Sequence, residues 1–123
     1  MRRSMMQVYV NNSKAAVEVY KQAFNARVGD YIENPQQLNE LYHAELDVYG
    51  QCLAVSGPND QAVTGSTMQF CLHFAPEERH LVERAYEVLQ EGALRIYGPE
   101  PTDWAEMMVD ITDRFGVRWC LFA

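Results

Sequence analysis

The sequence predicts a small α+β fold made of two βαβββ modules in tandem, on three observations. Short runs of alternating apolar and polar residues outnumber helical ones. The order strand, helix, three strands occurs twice within 123 residues. A faint echo also links the halves, Ala44-Glu45-Leu46 in the first and Ala105-Glu106-Met107 in the second, and internal repetition of this kind marks duplicated units. The chain is 48% apolar and 22% charged, an ordinary globular composition, and its length fits one domain over residues 1–123. Module one is expected at about 5–57 and module two at about 67–123.

In module one, Met5 to Val10 reads as a strand. Asn12-Ser13 supplies a helix cap ahead of Ala16, Tyr20, Ala23 and Phe24, which recur at helical spacing. Ala26 to Glu33 is a second strand, broken by Asn34-Pro35. Leu41 to Tyr49 alternates, and a Gly50-Gln51 turn leads into Cys52 to Ser56. A turn-rich connector covers Gly57 to Gly65.

Module two restarts the pattern at Thr67 to Phe74, where Met68, Phe70, Leu72 and Phe74 alternate with polar residues. Pro76 suits the first turn of a helix, with Glu77 and Glu78 at the positive end of its dipole. That helix carries Leu81, Val82, Ala85, Tyr86, Val88 and Leu89 on one face and stops at Gly92. A strand follows at Leu94 to Tyr97 and is interrupted by Gly98-Pro99-Glu100-Pro101. Trp104 to Ile111 and Val117 to Phe122 then form a hairpin around Thr112 to Gly116.

Ten Lys and Arg against seventeen Asp and Glu give a net charge of -7, a field that repels phosphate backbones and anionic headgroups. Nucleic acid and membrane are therefore excluded as partners. The apolar stretch after the basic start Met1-Arg2-Arg3 is too short for an export signal. The cysteines Cys52, Cys71 and Cys120 are odd in number and lack CxxC spacing, so a reduced, cytoplasmic setting is expected.

The two modules, the run Val10-Asn11-Asn12-Ser13 leading into Ala16 to Phe24, and the ending Asp113-Arg114-Phe115-Gly116-Val117-Arg118-Trp119 resemble the PhnB-like branch of the vicinal oxygen chelate (glyoxalase/bleomycin-resistance/dioxygenase) superfamily. The resemblance spans nearly the whole chain. It implies a glyoxalase-like fold in which the modules form a curved mixed sheet around a concave cavity, commonly in a homodimer. It also implies that metal-dependent relatives take one ligand from each of four strands. Carried over, those positions fall at Met5, Ser56, Gln69 and Cys120, none of them His or Glu. No metal is expected there and no cofactor is predicted, because divalent ions select carboxylates and imidazoles. A divalent metal is left only to a displaced site. Members of this branch are often labelled demethylubiquinone-methyltransferase-like, yet no Gly-rich turn between strand and helix suits a methyl-donor nucleotide.

Strand parity sorts the residues, since alternate side chains face opposite sides of a sheet. With Val8 and Val10 packed under a helix, Met5, Gln7 and Tyr9 point to the cavity side; by the same logic so do Gln69, Cys71 and His73. His43, Glu45 and Asp47 share that face, as do Cys52, Ala54 and Ser56, then Trp104, Glu106, Met108 and Asp110, then Arg118, Cys120 and Phe122. His43, Glu45 and Glu106 are the candidate catalytic residues, His43 as a general base or hydrogen-bond donor. The alternative for them is a merely solvated polar face, the commoner state of such residues on an antiparallel sheet. Gln7, Tyr9, Gln69, Cys71, His73, Trp104, Arg118 and Cys120 are candidate ligand-binding residues. For His73 the alternative is a structural histidine, for Trp104 a core or dimer contact, for the cysteines small buried hydrophobes. For Arg118 the choice lies between gripping a ligand carboxylate or phosphate and a salt bridge to Glu106 or Asp110.

Two functions follow. One is a homodimeric protein that binds a small, partly apolar metabolite or drug without chemistry. The other is a metal-dependent lyase, isomerase or dioxygenase using a displaced His/Glu site, for which only His43, Glu45, Glu106 and His73 supply ligands.

Overall fold

The computed structural model describes residues 1–60 and 62–123. It forms two compact units, Met1–Val63 and Thr64–Ala123. Unit one contains β1 (Met6–Tyr9), α1 (Ser13–Phe24), β2 (Arg27–Glu33), β3 (Leu41–Val48) and β4 (Gln51–Ser56). Unit two contains β5 (Phe70–His73), a 3₁₀ turn (Pro76–Glu78), α2 (Arg79–Leu89), β6 (Arg95–Glu100), β7 (Met108–Thr112) and β8 (Arg118–Phe122). Each is a βαβββ module, as expected. Each closes a four-stranded mixed sheet of its own, in the orders β1-β4-β3-β2 and β5-β8-β7-β6. The outer member of each sheet's first pair runs parallel to its neighbour, β1 to β4 and β5 to β8, and the remaining pairs are antiparallel.

Burial follows the predicted parity. In unit one α1 turns Ala16, Val17, Tyr20, Ala23 and Phe24 inward, all at most 1% exposed, as are Leu46, Val48, Leu53 and Val55 of the sheet. In unit two Val82, Ala85 and Leu89 of α2 are buried together with Val109, Ile111, Trp119 and Leu121. The other face of each sheet carries the polar residues. Among the described residues no helix is long and apolar enough to cross a membrane.

The start of α1 departs from expectation. Asn12 adopts a left-handed backbone (φ 60°) and makes no side-chain cap. Glu40, from the connection between β2 and β3, takes over. Its carboxylate accepts the Asn12 amide at 2.6 Å, the Ser13 amide at 3.0 Å and the Ser13 hydroxyl at 2.6 Å. The same hydroxyl accepts the Leu41 amide at 2.7 Å. Orphan donors at the helix terminus are thus satisfied by a carboxylate from 27 residues along the chain. Gly57 makes room for it, since a Cβ there would stand 2.8 Å from Glu40 Oε2. Burial opposes ionisation of Glu40, but the three hydrogen bonds outweigh it and hold the carboxyl below its ordinary value.

Three boundaries in unit two also differ. β5 begins at Phe70 rather than Thr67, because its partner β8 begins at Arg118 and Phe70 pairs with Trp119. β6 does not end at Tyr97 but runs to Glu100, with a register shift between Tyr97 and Glu100. Pro99, which has no amide to donate, is tolerated on this edge strand, and Gly98 (φ 86°) has no room for a Cβ against Met108 O at 2.5 Å. β7 begins at Met108, not Trp104: the Thr102 hydroxyl accepts the amides of Trp104 at 3.3 Å and Ala105 at 3.0 Å, a local turn that competes with strand pairing. The connector expected over 57–65 includes Gln61, which lies outside the described residues.

The β7–β8 hairpin forms where predicted, around Asp113. This buried carboxylate accepts the amides of Phe115 at 2.9 Å and Val117 at 3.0 Å through one oxygen, and the Trp119 indole N–H at 2.9 Å through the other.

Two stability predictions follow. Glu40→Ala should destabilise the protein by about 1–3 kcal/mol, since it leaves the amide and hydroxyl of the buried Ser13 without their acceptor. Because the folded carboxyl titrates below its unfolded value, the wild-type contribution should be complete above the ordinary carboxylate range and fade as pH falls through the folded value; urea titrations of both proteins across acid pH measure this. Asp113→Ala should cost on the order of 3 kcal/mol by stranding the Trp119 N–H and two amides, and Asp113→Asn, which keeps an acceptor, should cost less; thermal and urea melts give the comparison.

Candidate functional site

On the face of the first sheet that points away from α1, register sets the residues in rows. Gln7 lies beside Ala54, and Ala54 beside Glu45; Tyr9 lies beside Ser56; Cys52 lies beside Asp47, and Asp47 beside Arg27. His43, Glu45, Ser56 and Gln7, chosen on parity, do converge. His43 Nε2 stands 3.0 Å from Glu45 Oε1 and its Nδ1 3.5 Å from the Ser56 hydroxyl. Gln7 Nε2 lies across the row, 3.3 Å from Ser56 Oγ and 3.4 Å from Ala54 O. With Glu45 ionised, Nε2 is placed to donate to it, and in the neutral ring Nδ1 is then an acceptor facing Ser56. Tyr9 stands apart, 57% exposed.

The sequence reading missed Arg3. Its guanidinium grips Glu45 with two prongs, at 2.6 and 3.0 Å. Nothing local in the sequence signals this pair, because it joins the segment before β1 to the middle of β3. Hydrogen bonds from Arg3 and then His43 bring the Glu45 carboxyl down to about 2. A carboxyl this acidic cannot serve as a general acid near neutral pH and is a weak base. Asp47 is lowered too, first by the Gly50 amide at 2.7 Å and then by Arg27 at 3.2 Å. The Cys52 thiol is pushed up by burial and by the negative charge of Glu45.

Beside these pairs runs a groove of about 430 Å³. Arg3 and Arg27 line it, with Val28, Gly29, Glu45, Asp47 and Cys52. Its size falls within the range of small-molecule sites.

The open face of the second sheet is organised differently. Arg118 makes a two-pronged pair with Asp110, at 3.0 and 2.7 Å, and donates its remaining arm to Ser66 O at 2.6 Å. Of the two partners expected for Arg118 the structure selects Asp110, so the guanidinium is engaged within its own unit. That hydrogen bond is the main cause holding the Asp110 carboxyl below its ordinary value, and Gln69 adds a further hydrogen bond. His73 stacks on Phe122, ring centres 4.4 Å apart. Cys71 and Cys120 are neighbours in register. Trp104 and Glu106 do not join this face as strand residues; both lie exposed in the turn ahead of β7. The residue that register places where Glu45 stands in the first module is Asp110, paired with Cys120 as Glu45 is with Ala54. The sequence echo centred on Glu106 is therefore out of step with the structural repeat.

Met5, Ser56, Gln69 and Cys120, the positions to which the resemblance carries the superfamily's metal ligands, do not fit a divalent ion. Ser56 is a buried neutral hydroxyl already hydrogen-bonded by Gln7. The Cys120 thiol is pushed up to about 11, by burial first and then by Cys71. Binding a metal there requires the thiolate. Among the described residues no three His, Cys, Asp or Glu side chains converge as a metal-holding group.

The model of the Glyoxalase/Bleomycin resistance protein/Dioxygenase superfamily matches residues 3–121. The chain belongs to this superfamily. The fold recurs in solved structures: protein PA1353 from Pseudomonas aeruginosa superposes with a TM-score of 0.81 at 22% identity, over 99% of this chain and 97% of that one. The PhnB protein from Bacillus cereus gives 0.80 at 14% identity, over 98% of both chains. The fosfomycin resistance protein FosX from Listeria monocytogenes, complexed with Mn(II) and sulfate, gives 0.69 at 13% identity, over 98% of this chain and 90% of that one. At these identities the likeness speaks for the glyoxalase-like fold alone. Comparison with curated proteins gives no match.

The Arg3–Glu45 pair yields a direct test. In Arg3→Ala the Glu45 carboxyl should titrate well above about 2, toward the 4.5 of an unperturbed group, as followed by carboxyl-carbon NMR. The pair contributes stability that is present above 4.5 and lost as pH falls toward 2, so the variant should lose that part of the acid sensitivity.

Proposed function

We propose that this glyoxalase-like protein binds a small, partly apolar, oxygen-bearing molecule in the groove of its first sheet and holds it without chemistry. The observation that supports this reading is the groove itself. Arg3 and Arg27 line it, each held by a carboxylate, together with Val28, Gly29 and Cys52. A ligand carboxylate or carbonyl accepts from the outer guanidinium N–H groups of Arg3 or Arg27, and its apolar body fills the rest of the groove. His43 and Glu45, proposed on sequence grounds as catalytic, act here as positioning residues: His43 orients Glu45, and Glu45 holds Arg3. The acidity of Glu45 and the poor metal donors at Met5, Ser56, Gln69 and Cys120 both favour binding over catalysis. Gln69, Cys71, His73, Arg118 and Cys120 belong to the open face of the second sheet, and we assign Arg118 to structure rather than to ligand. Self-association fits the exposed apolar side chains on two of the four edge strands, Tyr31 and Ile32 of β2 and Ile96 and Tyr97 of β6, because edge strands with apolar residues favour pairing with another chain.

The test is a thermal-shift and calorimetry screen of small carboxylates and ketones with apolar bodies. Cys52→Phe, which fills the groove, should abolish binding of any hit, and Arg3→Ala should weaken it about tenfold, the worth of one charged hydrogen bond; Cys52→Ala should bind normally. A hit unaffected by Cys52→Phe would overturn the groove as the site. Stoichiometric metal that is lost in His43→Ala, with turnover of the bound molecule, would replace the reading with a metal-dependent enzyme.

A further inference from the structure

Cys71 and Cys120 occupy adjacent parallel strands and are partners in register. In-register residues of neighbouring strands project from the same face, with backbones about 4.7–4.9 Å apart. That spacing lies inside the Cα window of about 4.4–6.8 Å that a disulfide spans. Cys71 is also close enough to help hold the Cys120 thiol above its ordinary value. Cys71 is exposed and Cys120 half-buried. The third cysteine, Cys52, belongs to the other unit and pairs in register with Asp47 instead. The arrangement is thus a pair of unequal thiols, one open to solvent and one behind it, on the face of the second sheet that the function proposed above does not use.

We propose that Cys71 and Cys120 form a reversible two-electron redox site that exchanges with small-molecule disulfides of the glutathione type. Cys71 gives up its proton to solvent and its sulfur attacks one sulfur of the small disulfide; that S–S bond breaks and one small thiolate leaves, taking up a proton. The Cys120 sulfur, losing its proton to solvent, then attacks Cys71 in the mixed disulfide. The Cys71–Cys120 bond forms and the second small thiol departs. Two protein thiols are oxidised and one small disulfide is reduced to two thiols. The roles follow from position: Cys71 is the more exposed of the two, and Cys120, a thiol held protonated by burial, is suited to resolving rather than initiating. Because Cys71 is open to solvent, the bond stays within reach of a small thiol and is reduced again by the reverse exchange. It also fastens β5 to β8, the parallel pair on which closure of the second sheet depends.

The full-length protein is incubated with oxidised glutathione and read by intact mass, thiol counting, peptide mapping and melting temperature. The expected result is loss of two of the three thiols with no glutathione retained, a cross-linked pair of peptides carrying Cys71 and Cys120, and a melting temperature that rises and falls back with reductant. Cys120→Ser should instead keep glutathione on Cys71 and show no rise; Cys120→Ala serves if the serine variant does not fold. Cys52→Ser should behave as wild type. A glutathione adduct that persists on wild-type Cys71, a cross-link that includes Cys52, or three thiols left unreacted would each overturn the proposal. Ligand binding in the first-sheet groove is scored separately, so failure here leaves that reading untouched.

Discussion

Parallel pairing of a module's first and last strands governs the architecture. β1 must lie against β4 and β5 against β8, with the helix and two further strands between them, before either sheet exists. These are the least local contacts within each module, and the loop-closure cost of bringing distant strands together falls on them. The functional rows depend on the same contacts. Gln7 meets Ala54 and Ser56 only because β1 lies parallel to β4, and Cys71 meets Cys120 only because β5 lies parallel to β8.

Once the strands are in register, the open faces are shaped by arginines that neutralise carboxylates. Glu45 is held by Arg3, Asp47 by Arg27 and Asp110 by Arg118. A chain with net charge -7 thereby presents sheet faces on which the negative charge is locally compensated. Two of the three pairs border the groove. Pairs of this kind orient hydrogen-bond donors in advance, which lowers the ordering cost of binding a ligand oxygen. They also hold the three carboxyls below their ordinary values. The two modules reach similar pairs by different routes: the arginine comes from the segment before β1 in the first and from β8 itself in the second.

Period and turn chemistry made much of this legible in the residues. Alternation along Leu41 to Val48 and helical spacing along Ser13 to Phe24 separated buried from open faces. The Asp113 to Gly116 turn announced its hairpin, and the ending Asp113 to Trp119 carried the superfamily resemblance. The errors have a common origin. Asn12 reads as a cap by residue type, yet a carboxylate arriving from the β2–β3 connection does the capping. Trp104 to Glu106 alternates like a strand, yet Thr102 captures its amides. The echo between Glu45 and Glu106 compares sequences, whereas hydrogen-bond register equates Glu45 with Asp110.

By itself the sequence determined the order of elements, the parity of each strand and the family, because these rest on local periodicity and on motifs that lie within one segment. It also placed His43, Glu45, Ser56 and Gln7 on one face. Only the tertiary structure decided which of those residues touch, that Arg3 and Arg118 are committed to Glu45 and Asp110, that Gly57 makes room for Glu40, and that Cys71 and Cys120 are neighbours. Each of these is a pairing between side chains on different strands or connections, fixed by register, and register belongs to the assembled sheet rather than to any stretch of chain.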